Sequence, residues 1–165
     1  VYGLFGMLFF VIKLGFQYSL LAGTLTAAIM VLPLIIRSTE EALLSVDDML
    51  REASFGLGAG KLRTIFRVVL PVAMPGILSG VILSIGRVVG ETAALMFTLG
   101  TATKIPEGLL SSGRTLALHM YVLSTEGLHV NESYATGVIL LILVLIINGL
   151  STFLSTKLMK ESQNE

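Results

Sequence analysis

Arg87 and Glu91 are the only charged side chains in the 32 residues from Val68 to Leu99, a stretch otherwise made of apolar, small and hydroxyl-bearing residues. Placing such a charge in hydrocarbon costs at least about 2.5 kcal/mol, so it has to face protein or a watery space. Four residues apart, the two side chains share a face if the stretch is one helix, although arginine before glutamate is the less favourable order. Two chemistries compete for them. A mutually neutralised pair would fix helix register and nothing more. An arginine with free donors would instead present a planar fork matched to the oxygens of an anion. The glutamate would then keep the anion from being held too tightly to leave. Ser84 and Thr92 add hydroxyls beside the pair and complete the candidate path.

Other groups are weaker candidates. GLGAGK, ending at Lys61, invites a phosphate-loop reading that its spacing refuses. A Walker A loop opens on Gly and follows its Lys with Ser or Thr. Here those positions hold Phe55 and Leu62. The dinucleotide pattern fails too, with Lys61 where the third Gly belongs. His119 and His129 lack the HExxH spacing and read as surface polar residues of a loop. Without cysteine there is no disulfide, thiol or zinc-cluster chemistry. No apolar stretch carries paired catalytic carboxylates or a nucleophile with its base, so we expect no catalytic site and no metal site on this chain.

The elements that position these residues follow from composition. Charged residues make up 13% of the 165 and hydrophobic ones 54%, with mean hydropathy +0.88; soluble domains carry roughly twice that charge. This is the composition of an all-α membrane protein, a polytopic helix bundle in a lipid bilayer. Eleven basic and eleven acidic residues cancel, so net charge gives no sign of nucleic acid as a partner. We expect spans at about 1–14, 18–37, 68–99 and 134–156. Lys13 and the GFQY turn mark the exit of the first, with Tyr18 as an interfacial anchor. Pro33 should kink the second and Arg37 end it. The chain opens on Val1 within an apolar run and so reads as the C-terminal part of a longer protein.

Between spans, residues 38–67 form a polar loop read as helix, glycine-rich turn, helix. Residues 100–133 form another, in which Leu116, Met120 and Leu123 recur at the spacing of a surface helix. Lys104 and Arg114 lie in it. Arg and Lys number seven in residues 37–67 and the C-terminal tail, including Arg37, Lys157 and Lys160, against three on the other side. That bias puts the central loop and the C-terminus in the cytoplasm and residues 100–133 outside. Within the third span, Ala73, Gly76, Gly80, Ser84, Arg87, Glu91, Ala94 and Thr98 fall along one helical line. Gly76 with Gly80, and Gly86 with Gly90, have the spacing that lets helices pack closely. Counting from Pro75, Arg87 would stand about 18 Å along the axis, near the middle of a roughly 30 Å core. Asn148 in the last span is placed to bond a neighbouring helix.

The central loop carries a specific pattern. Glu52, Ala53, Gly58, Leu70 and Pro71 match in type and spacing the EAA motif of ABC-transporter permeases, with Ser54 for the second alanine and Val68 for the usual isoleucine. Beyond the motif, VYGLFG, SLLAGTLTAAIMVLP, IIRSTEEAL, PGILSGVILSIGRVVGETAAL and RTLALHMYV are similar to the phosphate-specific permeases of the PstA family. That resemblance covers essentially the whole chain. It implies the C-terminal part of one MetI-like transmembrane permease domain in a bacterial inner (plasma) membrane. It also implies the partners: ATP-binding ABC ATPase subunits carrying ATP-Mg, a second, PstC-like permease subunit, a soluble phosphate-binding protein, and inorganic phosphate as substrate; Lys104 and Arg114 are weak candidates for meeting that binding protein, since exposed loop charges are common. Residues 38–67 then hold a coupling helix seated in a groove of the ATPase, with Glu52, Ala53, Ser54, Gly58, Leu70 and Pro71 at the coupling site. In a bacterial setting the triplet Asn131-Glu132-Ser133 has no meaning as a glycosylation site. A permease for another oxyanion or a phosphonate, and an ion-coupled transporter or channel using Glu91, are the alternatives.

Overall fold

The structure is a computed structural model describing residues 1–127 and 129–163. All regular structure among these residues is helical. Helix α1, Tyr2–Gly6, continues through Met7–Lys13 with a wider i→i+5 pitch; the Leu14 N–H donates to the Phe9 carbonyl at 2.9 Å. Phe5 stacks on Phe9 with centroids 5.5 Å apart, and the Lys13 ammonium stands 5.7 Å over the Phe9 ring. The helix stops at Lys13, where the sequence places the exit.

Helix α2, Leu20–Leu44, passes through Pro33. The stop expected at Arg37 does not occur. Arg37 instead lies on an exposed face, paired with Glu41 at 3.1 Å and Glu40 at 4.0 Å, and the helix formers of EEALL carry the helix on. Helix α3 is Asp48–Gly56. Helix α4, Lys61–Thr64, an i→i+5 turn over Ile65–Val69, and α5, Leu70–Val89, then run as one 29-residue helix. The wide turn precedes Pro71, whose ring would otherwise press on the Arg67 carbonyl.

That helix ends at Val89, so the expected span 68–99 is not one helix. Gly90 is a poor helix former, and the Glu91 Oε1 accepts from the Ala94 N–H at 3.0 Å, which starts a new short helix, α6, Ala93–Met96. Helix α7 is Leu116–Glu126, opened by the Thr115 hydroxyl and closed by Gly127 at φ 69°. Its buried residues are Ala117, Leu118 and Leu123, whereas Leu116 is exposed, so the anticipated apolar stripe is rotated. Helix α8 is Val130–Gln163, beginning ahead of Tyr134. Among the described residues, three helices are long and apolar enough to cross a membrane: Leu20–Leu44, Lys61–Val89 and Val130–Phe153. In the last, only 6% of the apolar window is buried, as befits a lipid-facing helix. The side chains of Lys157 and Lys160 lie outside the described residues.

The chain forms two compact units, Val1–Leu32 with Ile85–Ile147, and Pro33–Ser84 with the residues from Asn148 on. In the first, small residues let helices meet. A Cβ on Gly3 would stand 2.7 Å from the Ala94 Cα, and one on Gly6 would stand 2.8 Å from the methyls of Thr26 and Thr98. The loop after α6 closes over the start of α2, whose free N–H groups need partners. Leu20 donates to the Ser111 carbonyl at 3.0 Å and Leu21 to that of Leu109 at 2.9 Å; Ala22 donates to the Ser19 hydroxyl.

In the second unit Ala42 and Val46 of α2 and its exit pack on Val69 and Ala73, with Leu43 and Ile77 beside them. A Cβ on Gly76 would stand 2.6 Å from that of Ala42, and one on Gly80 would strike Ser38. The first glycine pair therefore works as its spacing predicts. Gly90 of the second meets only carbonyls of its own turn, those of Gly86 and Arg87. Asn148 is half-buried, and its amide makes no hydrogen bond among the described residues. Gly76→Val should destabilise the second unit by ~1–3 kcal/mol through overpacking, read as a lowered thermal midpoint in detergent, and Ala42→Gly on the same chain should restore part of the loss. An unchanged midpoint would remove the close approach.

Candidate functional site

Of the four residues expected along a path, two meet. Arg87 and Glu91 line a cavity of about 320 Å³ in the first unit, together with Tyr2, Met30, Ala94 and Phe97. Arg87 is exposed, and its guanidinium has no hydrogen bond or ion pair among the described residues. The i, i+4 pair anticipated on one helix is not made, because Glu91 lies beyond the break and its carboxylate holds the start of α6. Arg87 stands in the last turn of α5 rather than mid-helix. There the free carbonyls carry negative partial charge and favour a cation without help from a carboxylate. The cavity thus presents a free fork of donors, and a carboxylate with lone pairs to spare, in a wall otherwise largely apolar.

Ser84 is 3% exposed and donates to the Gly80 carbonyl of its own helix at 2.8 Å. Thr92 lines a different cavity, of about 530 Å³, with Met120, Tyr121, Ser124, Ser133 and Tyr134. Neither hydroxyl joins Arg87. The histidines differ from each other. His129 pairs with Glu132 on the surface, as a loop residue would. His119 sits within α7, half-buried, with Nδ1 enclosed and unbonded among the described residues, so it is not the surface residue its position implied. Ser133 turns its hydroxyl to the Met120 carbonyl at 2.9 Å.

The second unit holds the other group. The Asp47 carboxylate accepts from the Met49 N–H at 2.9 Å and opens α3. Two bonds close it, from Ala59 N–H to the Ser54 carbonyl at 3.1 Å and from Gly58 N–H to that of Phe55 at 2.9 Å. Gly58 takes φ 80°, the left-handed conformation this closure requires. No residue of α3 is buried; Glu52 and Ala53 face solvent. Met49, Phe55, Leu57 and Leu62 are exposed around them, Leu57 to 89%. Leu70 and Pro71 are half-buried, next to the core residue Val69. Ser54, read from the sequence only as small, uses its hydroxyl, 2.9 Å from that of Thr64. Arg51, which no motif marks, reaches the Leu43 carbonyl. An uncovered helix that exposes apolar side chains between its charged ones, and lies between two candidate spans, can receive another protein.

The chain matches, over residues 2–160, the family model described as binding-protein-dependent transport system inner membrane component. It is 36% identical to the probable ABC transporter permease protein YqgI of Bacillus subtilis, over 98% of this chain and 60% of that protein. It is 48% identical to the phosphate transport system permease protein PstA of Mycobacterium leprae, over 64% of this chain and 34% of that protein. Against the phosphate transport system permease protein PstC of Xylella fastidiosa the identity is 33%, over 83% of this chain and 43% of that protein. The chain thus spans less than two thirds of the length of each of these relatives. No solved structure matches it.

With no native cysteine, single-cysteine labelling has no background. Arg87→Cys should react with a small water-soluble thiol reagent at least about tenfold faster than Ser84→Cys, because only an accessible thiol ionises and reacts. Equal rates would close the cavity to water.

Proposed function

The chain belongs to the family of binding-protein-dependent transport system inner membrane components, and from that premise we propose that it is the transmembrane permease subunit of an ATP-driven importer of inorganic phosphate. The observation that carries the proposal is α3, a helix without a buried residue, closed at Gly58 and uncovered at Met49, Phe55 and Leu57. In this account α3 lies on the cytoplasmic side, together with the C-terminus, as the distribution of Lys and Arg favours. It docks in a groove of an ATP-binding ABC ATPase subunit. ATP-Mg binds and is hydrolysed on that partner, so this chain needs no cofactor of its own. Closure of the ATPase pair pushes α3, and the push passes to the spans that flank it.

The same account assigns the transported anion to Arg87. Its guanidinium is unopposed among the described residues, and a phosphate oxygen pair fits the fork that Glu91 does not occupy. Glu91 tempers the positive field and lets the anion leave. A PstC-like second permease subunit completes the pore, and a soluble phosphate-binding protein delivers substrate from outside. The names of the PstA and PstC relatives support phosphate as cargo; another oxyanion or a phosphonate would use the same fork.

In vesicles holding the full assembly, Gly58→Leu should leave membrane insertion intact and uncouple ATP hydrolysis from uptake, since a left-handed residue with a side chain costs about 1–2 kcal/mol and reshapes the docking turn. Normal uptake per ATP would count against α3 as the coupling element. Arg87→Gln should lower phosphate uptake on the order of tenfold or more, the loss of a charge-assisted hydrogen bond. Competition by arsenate, sulfate and phosphonates identifies the cargo, and uptake that survives loss of the ATPase but collapses with a proton uncoupler would replace the proposal by an ion-coupled carrier.

A further inference from the structure

Helix α3 rests on polar ties at both of its ends, and one of them is made by a residue outside the motif. The last turn of α2 leaves carbonyls that the helix itself cannot bond. The Ser45 N–H takes that of Glu41 at 3.0 Å and the Ser45 hydroxyl that of Ala42 at 2.8 Å. The third, on Leu43, accepts from Arg51 Nη2 at 2.7 Å across eight residues of chain. Arg51 Nη1 holds Asp48 in the first turn of α3. The Arg51 side chain is 29% exposed, on a helix whose other charged groups, Asp48 and Glu52, are open to solvent. A guanidinium suits this place because its planar fork serves two acceptors at once, and because the carbonyl end of a helix attracts a cation.

The other tie joins the far end of α3 to the next span. The Ser54 and Thr64 hydroxyls share a hydrogen bond of 2.9 Å, and Thr64 is 1% exposed. Beneath both ties lies the cluster of Ala42, Val46, Val69 and Ala73 that packs α2 and its exit on α5. Directional bonds between stiff helices transmit displacement, whereas the exposed apolar side chains of α3 leave a face free for a partner.

We propose that Arg51 is a positioning residue that fastens α3 to the end of α2, so that a push on α3 moves, as one body, the parts of α2 and α5 that lie in the second unit, residues 33–44 and 70–84. The proposal rests on the coupling role given to α3 above. The test is the phosphate imported per ATP hydrolysed by the complete transporter, full-length permease with its second subunit and ATPase, in vesicles. Arg51→Met should lower that ratio on the order of threefold to thirtyfold, with ATP hydrolysis and co-purification of the ATPase unchanged. Arg51→Lys, which keeps the charge and loses the fork, should recover part of it. Thr64→Val should lower the ratio independently.

An unchanged ratio in Arg51→Met overturns the proposal. So does loss of the ratio in step with loss of the ATPase from the complex, which would make Arg51 a docking residue. Crosslinking from Leu57→Cys, in a full-length permease with any other cysteine replaced by serine, separates the two levels. No capture of the ATPase removes the coupling role of α3 itself. Capture together with an unchanged ratio in Arg51→Met removes only the role of Arg51.

Discussion

Hydrocarbon offers a helix nothing to bond its terminal N–H and C=O groups, so each end of a membrane helix has to be finished by protein or brought to water. In this chain the finishing groups are supplied by the segments that connect the long helices. The start of α2 is closed by carbonyls of Leu109 and Ser111, which fixes the loop after α6. Its other end is closed by Ser45 and Arg51, which fixes the approach to α3. The Gly58 turn then satisfies the carbonyls of Ser54 and Phe55 and sends the chain into the next span. Loops that would otherwise be free to wander are held because the helices need them.

The close contacts between spans follow from the same solvent. Apolar side chains gain little by leaving lipid for each other, so helices associate through contact of backbone and small residues. Gly76 and Gly80 against Ala42 and Ser38, and Gly3 and Gly6 against Ala94, Thr26 and Thr98, are such contacts. The threonine hydroxyls at these contacts are satisfied four residues back along the chain, Thr26 on Ala22 within α2 and Thr98, in the turn after α6, on Ala94. They can therefore be buried without needing a partner across the interface.

The sequence made legible whatever depends on an average or on one residue's backbone. Hydropathy averaged over twenty residues finds α2, α5 and α8, and the need for a left-handed residue after α3 finds Gly58. Helix limits were less legible, because α2 runs past Arg37 on ion pairs at its surface and α5 stops at Val89 although the chain turns apolar again from Ala93 to Phe97. What depends on a distant partner was not legible. Nothing in the types of neighbouring residues tells that Arg51 reaches a carbonyl eight positions back, that His119 encloses a ring nitrogen, or that Ser54 is chosen for its hydroxyl. Leu116 misled because periodicity says which residues share a face and not which face is buried.

The break at Gly90 alters what Arg87 and Glu91 can do. On one continuous helix they would be neighbours of opposite charge and largely cancel each other. With the helix ended at Val89, the arginine draws its stabilisation from the carbonyl end of α5, and the glutamate draws its own from the first N–H groups of α6, where a carboxylate is favoured. Each charge is thus supported by a backbone dipole and spared from the other, while both border the same cavity. In the proposed function, a site that takes up an anion and lets it go needs a donor that is not already spent on a counter-ion and a field that is not purely attractive. Two helix ends meeting around one glycine supply both conditions. A continuous helix with the same two residues would supply neither.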